Sequence, residues 1–201
     1  MSLEAYIHRK RAGEPGSPIL FVFHGTGGDE NQFFDFAARL MPAATIVSPR
    51  GDVSEGGALR FFRRTGEGVY DMDDLSVRTS AMSDFVKAQR EAANASRIIG
   101  LGYSNGANIL SSMTFREPLF DAVMLMHPLI PFDPPTDARF DGMDVVITAG
   151  QRDPICPPPQ TMKLAAHYDA GGADVDLVWH DGGHEIQQSE LEAARRFAGR
   201  Q

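Results

Sequence analysis

A chain of 201 residues, 42% hydrophobic and 23% charged, is sized for one packed domain spanning 1–201 rather than for two. Its formal net charge of −8 opposes nucleic acid and anionic membrane surfaces, since both reward basic patches. A lone cysteine, Cys156, excludes an internal disulfide and suits a reducing compartment. No stretch nears the roughly 18 apolar residues of a membrane span, and residues 1–6 lack the basic-then-apolar start of a signal peptide. The expected location is cytoplasmic.

In chain order, residues 3–7 predict a first edge strand, followed by a turn through 13–18. Residues 19–23 (Ile-Leu-Phe-Val-Phe) are apolar without alternation, as a strand in a sheet covered on both faces requires. Residues 32–40 predict a helix with Phe33, Phe36, Ala37 and Leu40 on one face, and 45–48 another strand. Residues 50–70 are glycine-rich and irregular. A long helix is expected over 75–93, with Leu75, Met82, Phe85, Val86 and Gln89 near one stripe. Strands follow at 98–101, 122–126 and 144–148, with a proline-rich loop over 128–142. A helix over 159–171 precedes an alternating strand around Val175, Leu177 and Trp179, whose half-exposed pattern marks a sheet edge and permits a homodimer. A closing helix covers 189–198. Strands alternating with helices predict a mostly parallel central sheet with helices on both faces, without repeats or linkers.

The chain is organised around Gly102-Tyr103-Ser104-Asn105-Gly106, a Gly-x-Ser-x-Gly between an apolar strand and a small-residue helix start. That context puts the serine on a sharp strand-to-helix turn, with its hydroxyl exposed at the end of the sheet. Side chains at Gly102 or Gly106 would collide with the neighbouring strand or the helix. The turn also leaves the Asn105 amide at a helix N-terminus, aimed where an oxyanion would form. A dinucleotide-binding reading of Gly100-Leu101-Gly102 fails because position 105 is Asn and the stretch lies mid-chain.

His24-Gly25-Thr26-Gly27-Gly28 follows the second strand and offers the Thr26 amide as the other oxyanion donor, against the alternative of a flexible turn. No Gly-Lys-Ser/Thr follows, so a phosphate-cradling loop is not expected. Asp153, before Pro154 after a later strand, is either a turn residue or the carboxylate of a triad. Of six histidines, His184 after the last strand is the natural base. His8 is N-terminal, His167 is helical, and His180 is at a strand end pointing elsewhere. His24 and His127 precede the aspartate, against the order Ser…Asp…His. Three segments agreeing in order and location favour Ser104, Asp153 and His184 as a set.

These motifs, together with Arg60-Phe61-Phe62-Arg63-Arg64, Glu67-Gly68-Val69-Tyr70-Asp71, His127-Pro128, Asp153-Pro154-Ile155-Cys156 and Gly183-His184, resemble the phospholipase/carboxylesterase group of α/β-hydrolases. The likeness is greatest to its hydroquinone-resistance hydrolase/carboxylesterase branch. It implies a single α/β-hydrolase domain with no separate cap, a triad of Ser104, Asp153 and His184, and oxyanion amides from Thr26 and Asn105. The thioesterase and lysophospholipase relatives usually carry Gln after the nucleophile, where this chain has Asn105. Glu185 places a carboxylate directly after His184. Dienelactone hydrolases use cysteine at the elbow, where this chain has serine, so Cys156 reads as a packed bystander.

The implied chemistry is cleavage of a small or aryl carboxylic ester through an acyl-enzyme, without metal or organic cofactor. The expected partner is a small-molecule ester, not nucleic acid or membrane. Acyl thioesterase or lysophospholipase activity, or a non-catalytic ligand-binding module, are the alternatives. Phe61 or Phe62 is expected to wall the substrate pocket. One of Arg63 and Arg64 is expected to face inward and attract a substrate carboxylate, its neighbour staying in solvent.

Overall fold

The computed structural model describes residues 2–66 and 68–201; Glu67, within the Glu67–Asp71 motif, lies outside them. Eleven strands and five helices follow in order among the described residues: β1 (His8–Arg11), β2 (Ile19–Phe23), α1 (Phe34–Leu40), β3 (Thr45–Pro49), β4 (Val53–Glu55), β5 (Ala58–Arg60), β6 (Arg64–Gly66), β7 (Val69–Tyr70) and α2 (Met72–Ala93). Then come β8 (Ile98–Tyr103), α3 (Asn105–Arg116), β9 (Ala122–Met126), β10 (Asp144–Gly150), α4 (Pro158–Ala170), β11 (Asp174–His180) and α5 (Gln188–Gly199).

Seven strands form one sheet in the order β1-β3-β2-β8-β9-β10-β11. Every pairing is parallel except that of β1 with β3. Alternation along the buried strands divides the core in two. Phe21, Phe23, Val123, Leu125, Val145 and Ile147 pack with α2, α3 and α4. Leu20, Val22, Ile99, Leu101, Met124 and Val146 pack with α1 and α5 on the opposite face. Helices therefore cover both faces, which is why β2 and β9 are apolar at every position. β11 ends the sheet half-exposed, as its alternation predicts.

Two expectations need correction. The first edge strand is His8–Arg11, not residues 3–7. A run of His-Arg-Lys-Arg looks like solvated chain, yet its polar ends are used: the Arg11 guanidinium donates to the carbonyls of Ala38, Met41, Pro42 and Ala44, around the open C-terminal end of α1. Residues 50–70 are not irregular throughout. They contain two small antiparallel hairpins, β4–β5 and β6–β7.

The sheet brings the ends of β2, β8, β9, β10 and β11 to one edge, where loops build the site in parallel α/β sheets. A close backbone approach there is at Gly106: a Cβ would lie 2.3 Å from the Phe23 carbonyl oxygen and 2.5 Å from that of His24. Both are backbone atoms that cannot swing away. Gly106→Ala is therefore expected to lower the melting temperature by at least ~5 °C, or to prevent folding. Gly199→Ala, where a Cβ meets nothing within 4 Å, is expected to leave it unchanged or slightly higher. Equal melting of the two variants would contradict this packing.

Candidate active site

β8 ends at Tyr103 and α3 begins at Asn105, which leaves Ser104 alone on the turn with φ 51° and ψ −116°. Such a backbone costs a residue bearing a side chain about 1–3 kcal/mol and persists only where neighbours fix it. The Ser104 N–H donates to the Met126 carbonyl at 2.8 Å, and its own carbonyl accepts from the Asn108 N–H at 3.0 Å. Gly102 permits the turn, because a Cβ there would lie 2.6 Å from the Gly106 carbonyl oxygen.

His184, in the loop after β11, has Nε2 2.9 Å from Ser104 Oγ. Its Nδ1 lies 2.7 Å from Asp153 Oδ2, in the loop after β10. The Asp153 carboxylate is wholly buried, and its Oδ1 accepts from the Ile155 and Cys156 amides at 2.8 and 3.0 Å. Burial pushes this carboxyl up, but the Cys156 amide and the His127 and His184 rings hold it below the usual carboxylate range. An ionised Asp153 accepts the proton on His184 Nδ1, so Nε2 is left as the acceptor facing the serine. The Tyr103 hydroxyl donates to the His184 carbonyl at 2.8 Å and steadies the loop.

Thr26 and Ser104 both line one cavity of about 570 Å³. Asn105 is the first residue of α3, whose N–H has no acceptor within the helix, so the positive helix end adjoins Ser104. The Asn105 side-chain oxygen accepts the Phe61 N–H at 2.7 Å, tying the turn to the segment after β5.

The expected aromatic wall is not formed by Phe61 and Phe62. They are 2% and 0% exposed and belong to the core beneath the cavity rather than to its lining. Phe61 packs against Phe23 and His24, and Phe62 against Tyr70. Two adjacent phenylalanines gain more from leaving water than from facing an open pocket. Arg63 also turns away, its guanidinium on Asp71 and Asp74. Arg64 does line the cavity, with Nε 3.0 Å from Glu55.

Three further lining residues escaped the sequence reading. Arg60, only 5% exposed, donates from Nη1 to the Thr26 hydroxyl at 2.9 Å. Tyr70 donates its hydroxyl to the Leu129 carbonyl and accepts from Asn108 Nδ2, both at 2.7 Å. Asn108 had a legible signal, since it lies four residues after Ser104 and so on the same helix face. Arg60 and Tyr70 had none, because burial rather than spacing turns them inward. Glu185 is exposed and accepts from the Gly183 amide and the Gln187 side chain within its own loop.

Two clusters have metal-ligand spacing: His127 with His180 and Glu190, and His127 with Asp153 and His184. Their nitrogens are already committed. His180 Nδ1 accepts the Gly182 N–H, so its neutral ring carries the proton on Nε2, and both His127 nitrogens face carboxylate oxygens.

A family model described as Dienelactone hydrolase family matches residues 62–192. The chain belongs to that family. The protein MhqD of Bacillus subtilis (strain 168), designated a hydrolase, is 37% identical over 182 residues, covering 89% of this chain and 91% of that one. A solved structure of Bacillus cereus carboxylesterase is 33% identical with a TM-score of 0.92, covering 97% of this chain and 94% of the other. Protein Atu2452 of Agrobacterium tumefaciens str. C58, of unknown function, is 56% identical with a TM-score of 0.92, covering 100% of this chain and 98% of its own. The fold is that of the α/β-hydrolases, and this family member carries serine at the elbow.

Its cysteine is off the elbow and, though at the wall of the same cavity, protected. Cys156 is 1% exposed, its thiol donates to the His127 carbonyl at 3.1 Å, and burial followed by the Asp153 charge pushes its pKa well up. Iodoacetamide at pH 8 is therefore expected to leave the folded protein unlabelled over an hour while labelling it fully in urea. Stoichiometric labelling of the native protein would contradict this.

Proposed function

We propose that the protein is a carboxylesterase-type serine hydrolase that cleaves small or aryl carboxylic esters through an acyl-enzyme. The observation that carries this is the unbroken hydrogen-bonded line from Ser104 Oγ through His184 to buried Asp153, opening on the cavity. A neutral hydroxyl is a weak nucleophile, so His184 Nε2 takes its proton as Oγ attacks the ester carbonyl. The carbonyl π electrons move onto oxygen, and that oxyanion is held by the Thr26 and Asn105 amides, each donor being worth about 3 kcal/mol in such sites. Collapse expels the alcohol, which leaves with the proton from His184. Water then repeats the sequence: His184 takes its proton, hydroxide oxygen attacks the acyl carbon, and Ser104 leaves with that proton as the acid departs. Asp153 fixes the His184 tautomer and stabilises the imidazolium formed in each half.

The substrate reading follows from the lining. Tyr70 and Leu129 offer apolar surface, while Arg60 and Arg64 bring positive charge into the same space. Glu55 pairs with both arginines but is itself 44% exposed, so the charge it offsets is open to competition by a substrate anion. An ester whose acyl or alcohol part carries a carboxylate fits this combination, with Arg64 as the mobile partner and Arg60 as the fixed one.

Ser104→Ala is expected to lower kcat/KM for p-nitrophenyl acetate by about 10⁴-fold or more and to abolish labelling by a fluorophosphonate probe, with an unchanged melting curve. Near-native turnover in that variant would overturn the mechanism. Arg64→Ala is expected to raise KM for an acid-bearing ester roughly tenfold while sparing its methyl-ester analogue, and Arg63→Ala to spare both. Equal effects of Arg64→Ala on the two substrates would remove the charge recognition and leave the esterase chemistry standing.

A further inference from the structure

Asp153 has a second imidazole partner. β9 lies between β8 and β10, and the residue after it, His127, is 0% exposed and held in the left-handed region at φ 51°. Its Nδ1 is 2.9 Å from Asp153 Oδ2, the same oxygen that takes the His184 N–H. Its Nε2 is 3.1 Å from Glu190 Oε1, on α5. The Glu190 side chain is also wholly buried, and every contact it makes is to a donor: the Thr148 hydroxyl, the Gln187 amide at 2.7 Å, and His180 Nε2 at 3.3 Å.

These contacts fix where the protons are. His180 accepts the Gly182 N–H on Nδ1, so its remaining proton points from Nε2 at Glu190. Both nitrogens of His127 face carboxylate oxygens, and a carboxylate only accepts. His127 Nε2 also lies 3.5 Å from His180 Nε2, whose proton is directed at Glu190, so a neutral His127 would set a lone pair against an anion whereas a doubly protonated ring gives both anions a donor. The groups facing it are Asp153 and Cys156 from the loop after β10, Tyr103 from β8, His180 from β11, His184 from the following loop and Glu190 from α5. The Cys156 thiol is neutral, and Asp153 and Glu190 are the anions. Burial opposes charge on His127, but the bonds to Glu190 and Asp153 outweigh it and raise its pKa.

We propose that His127 is a protonated positioning residue which, through the oxygen it shares with His184 on Asp153, keeps His184 a neutral base at lower pH than a serine, histidine and aspartate would alone. The inference rests on the esterase reading of that site. Its physical basis is a fixed cation whose ring centroid is 5.0 Å from that of His184. A second cation at that range is disfavoured, and an aspartate oxygen already taken by one charged donor attracts the next less strongly. Without the charge at position 127, Asp153 and Glu190 would both favour protonation of His184.

Two variants separate charge from shape. In His127→Asn the residue still tolerates the left-handed backbone and its amide can donate to Asp153. The double variant His127→Asn with Glu190→Gln also removes the second buried anion, so no uncompensated charge is left to unfold the protein. His127→Asn is expected to move the acid limb of the kcat/KM profile for p-nitrophenyl acetate up by about one pH unit, and the double variant to move it up by less because Glu190 no longer attracts the proton, both with the high-pH plateau within about threefold of native. An unmoved limb in a folded variant, or a plateau loss with the limb fixed, would overturn the proposal. Nitrogen-15 NMR of the native protein supplies a readout that needs no variant: both His127 nitrogens are expected to be protonated from pH 6 to pH 8, and a neutral ring at pH 8 would overturn it. The His184 NMR titration needs no substrate. If it rises in the variants while the native protein hydrolyses no ester, the esterase reading fails and the role of His127 stands.

Discussion

The whole arrangement depends on one backbone contact, the seating of Gly106 of α3 against the carbonyls of Phe23 and His24 at the end of β2. Without a Cβ, α3 can start directly beside the neighbouring strand, which forces Ser104 into its strained turn and brings the loop carrying Thr26 alongside it. His24 anchors the same corner: its Nε2 accepts the Gly51 N–H after β3, and its Nδ1 donates to the Gly25 carbonyl. Burial holds His24 below the ordinary histidine range, so the ring stays neutral and can accept on one side. The loops after β2 and β3 and the turn after β8 are therefore fixed as one body.

The second constraint is the burial of Asp153 and Glu190. Leaving either carboxylate unpaired in the interior would cost several kcal/mol. Each is surrounded by amides, hydroxyls or imidazoles drawn from different elements, so β9, β10, β11 and α5 must all be in place before the charges are satisfied. Glu190 also closes a capping box at the start of α5, so a single side chain ends a helix and holds an ion cluster.

Much of this was legible in the sequence where burial and periodicity coincide. The five central strands are largely apolar runs, and the long helix shows its stripe, so their existence follows from hydrophobic pattern. The Gly-x-Ser-x-Gly signal held because sterics at Gly102 and Gly106 demand those residues. Legibility failed where polar contacts replace apolar ones. β1 is charged yet anchored by Arg11 on the end of α1, and the hairpins of residues 53–70 are too short to carry a period. Phe61 and Phe62 were misplaced for the converse reason, since an apolar pair within a polar segment can turn either to a pocket or to the core. His127 was set aside by chain order, a rule that selects the base facing the serine and says nothing about a second ring on the aspartate.

The bond from the Phe61 amide to the Asn105 side chain couples two properties that protein engineers usually treat as separate. Asn105 also supplies the backbone N–H beside Ser104, so the loop that shapes the cavity and the turn that presents the serine share one residue. Loop grafts that widen the pocket by lifting residues 58–64 would release that side chain and loosen the turn with it. Enlargement at Leu129 and Ile155, which also line the cavity, leaves that link untouched. The fold thus has a stiff wall and an adjustable one, and variation in substrate size has a preferred side from which to enter.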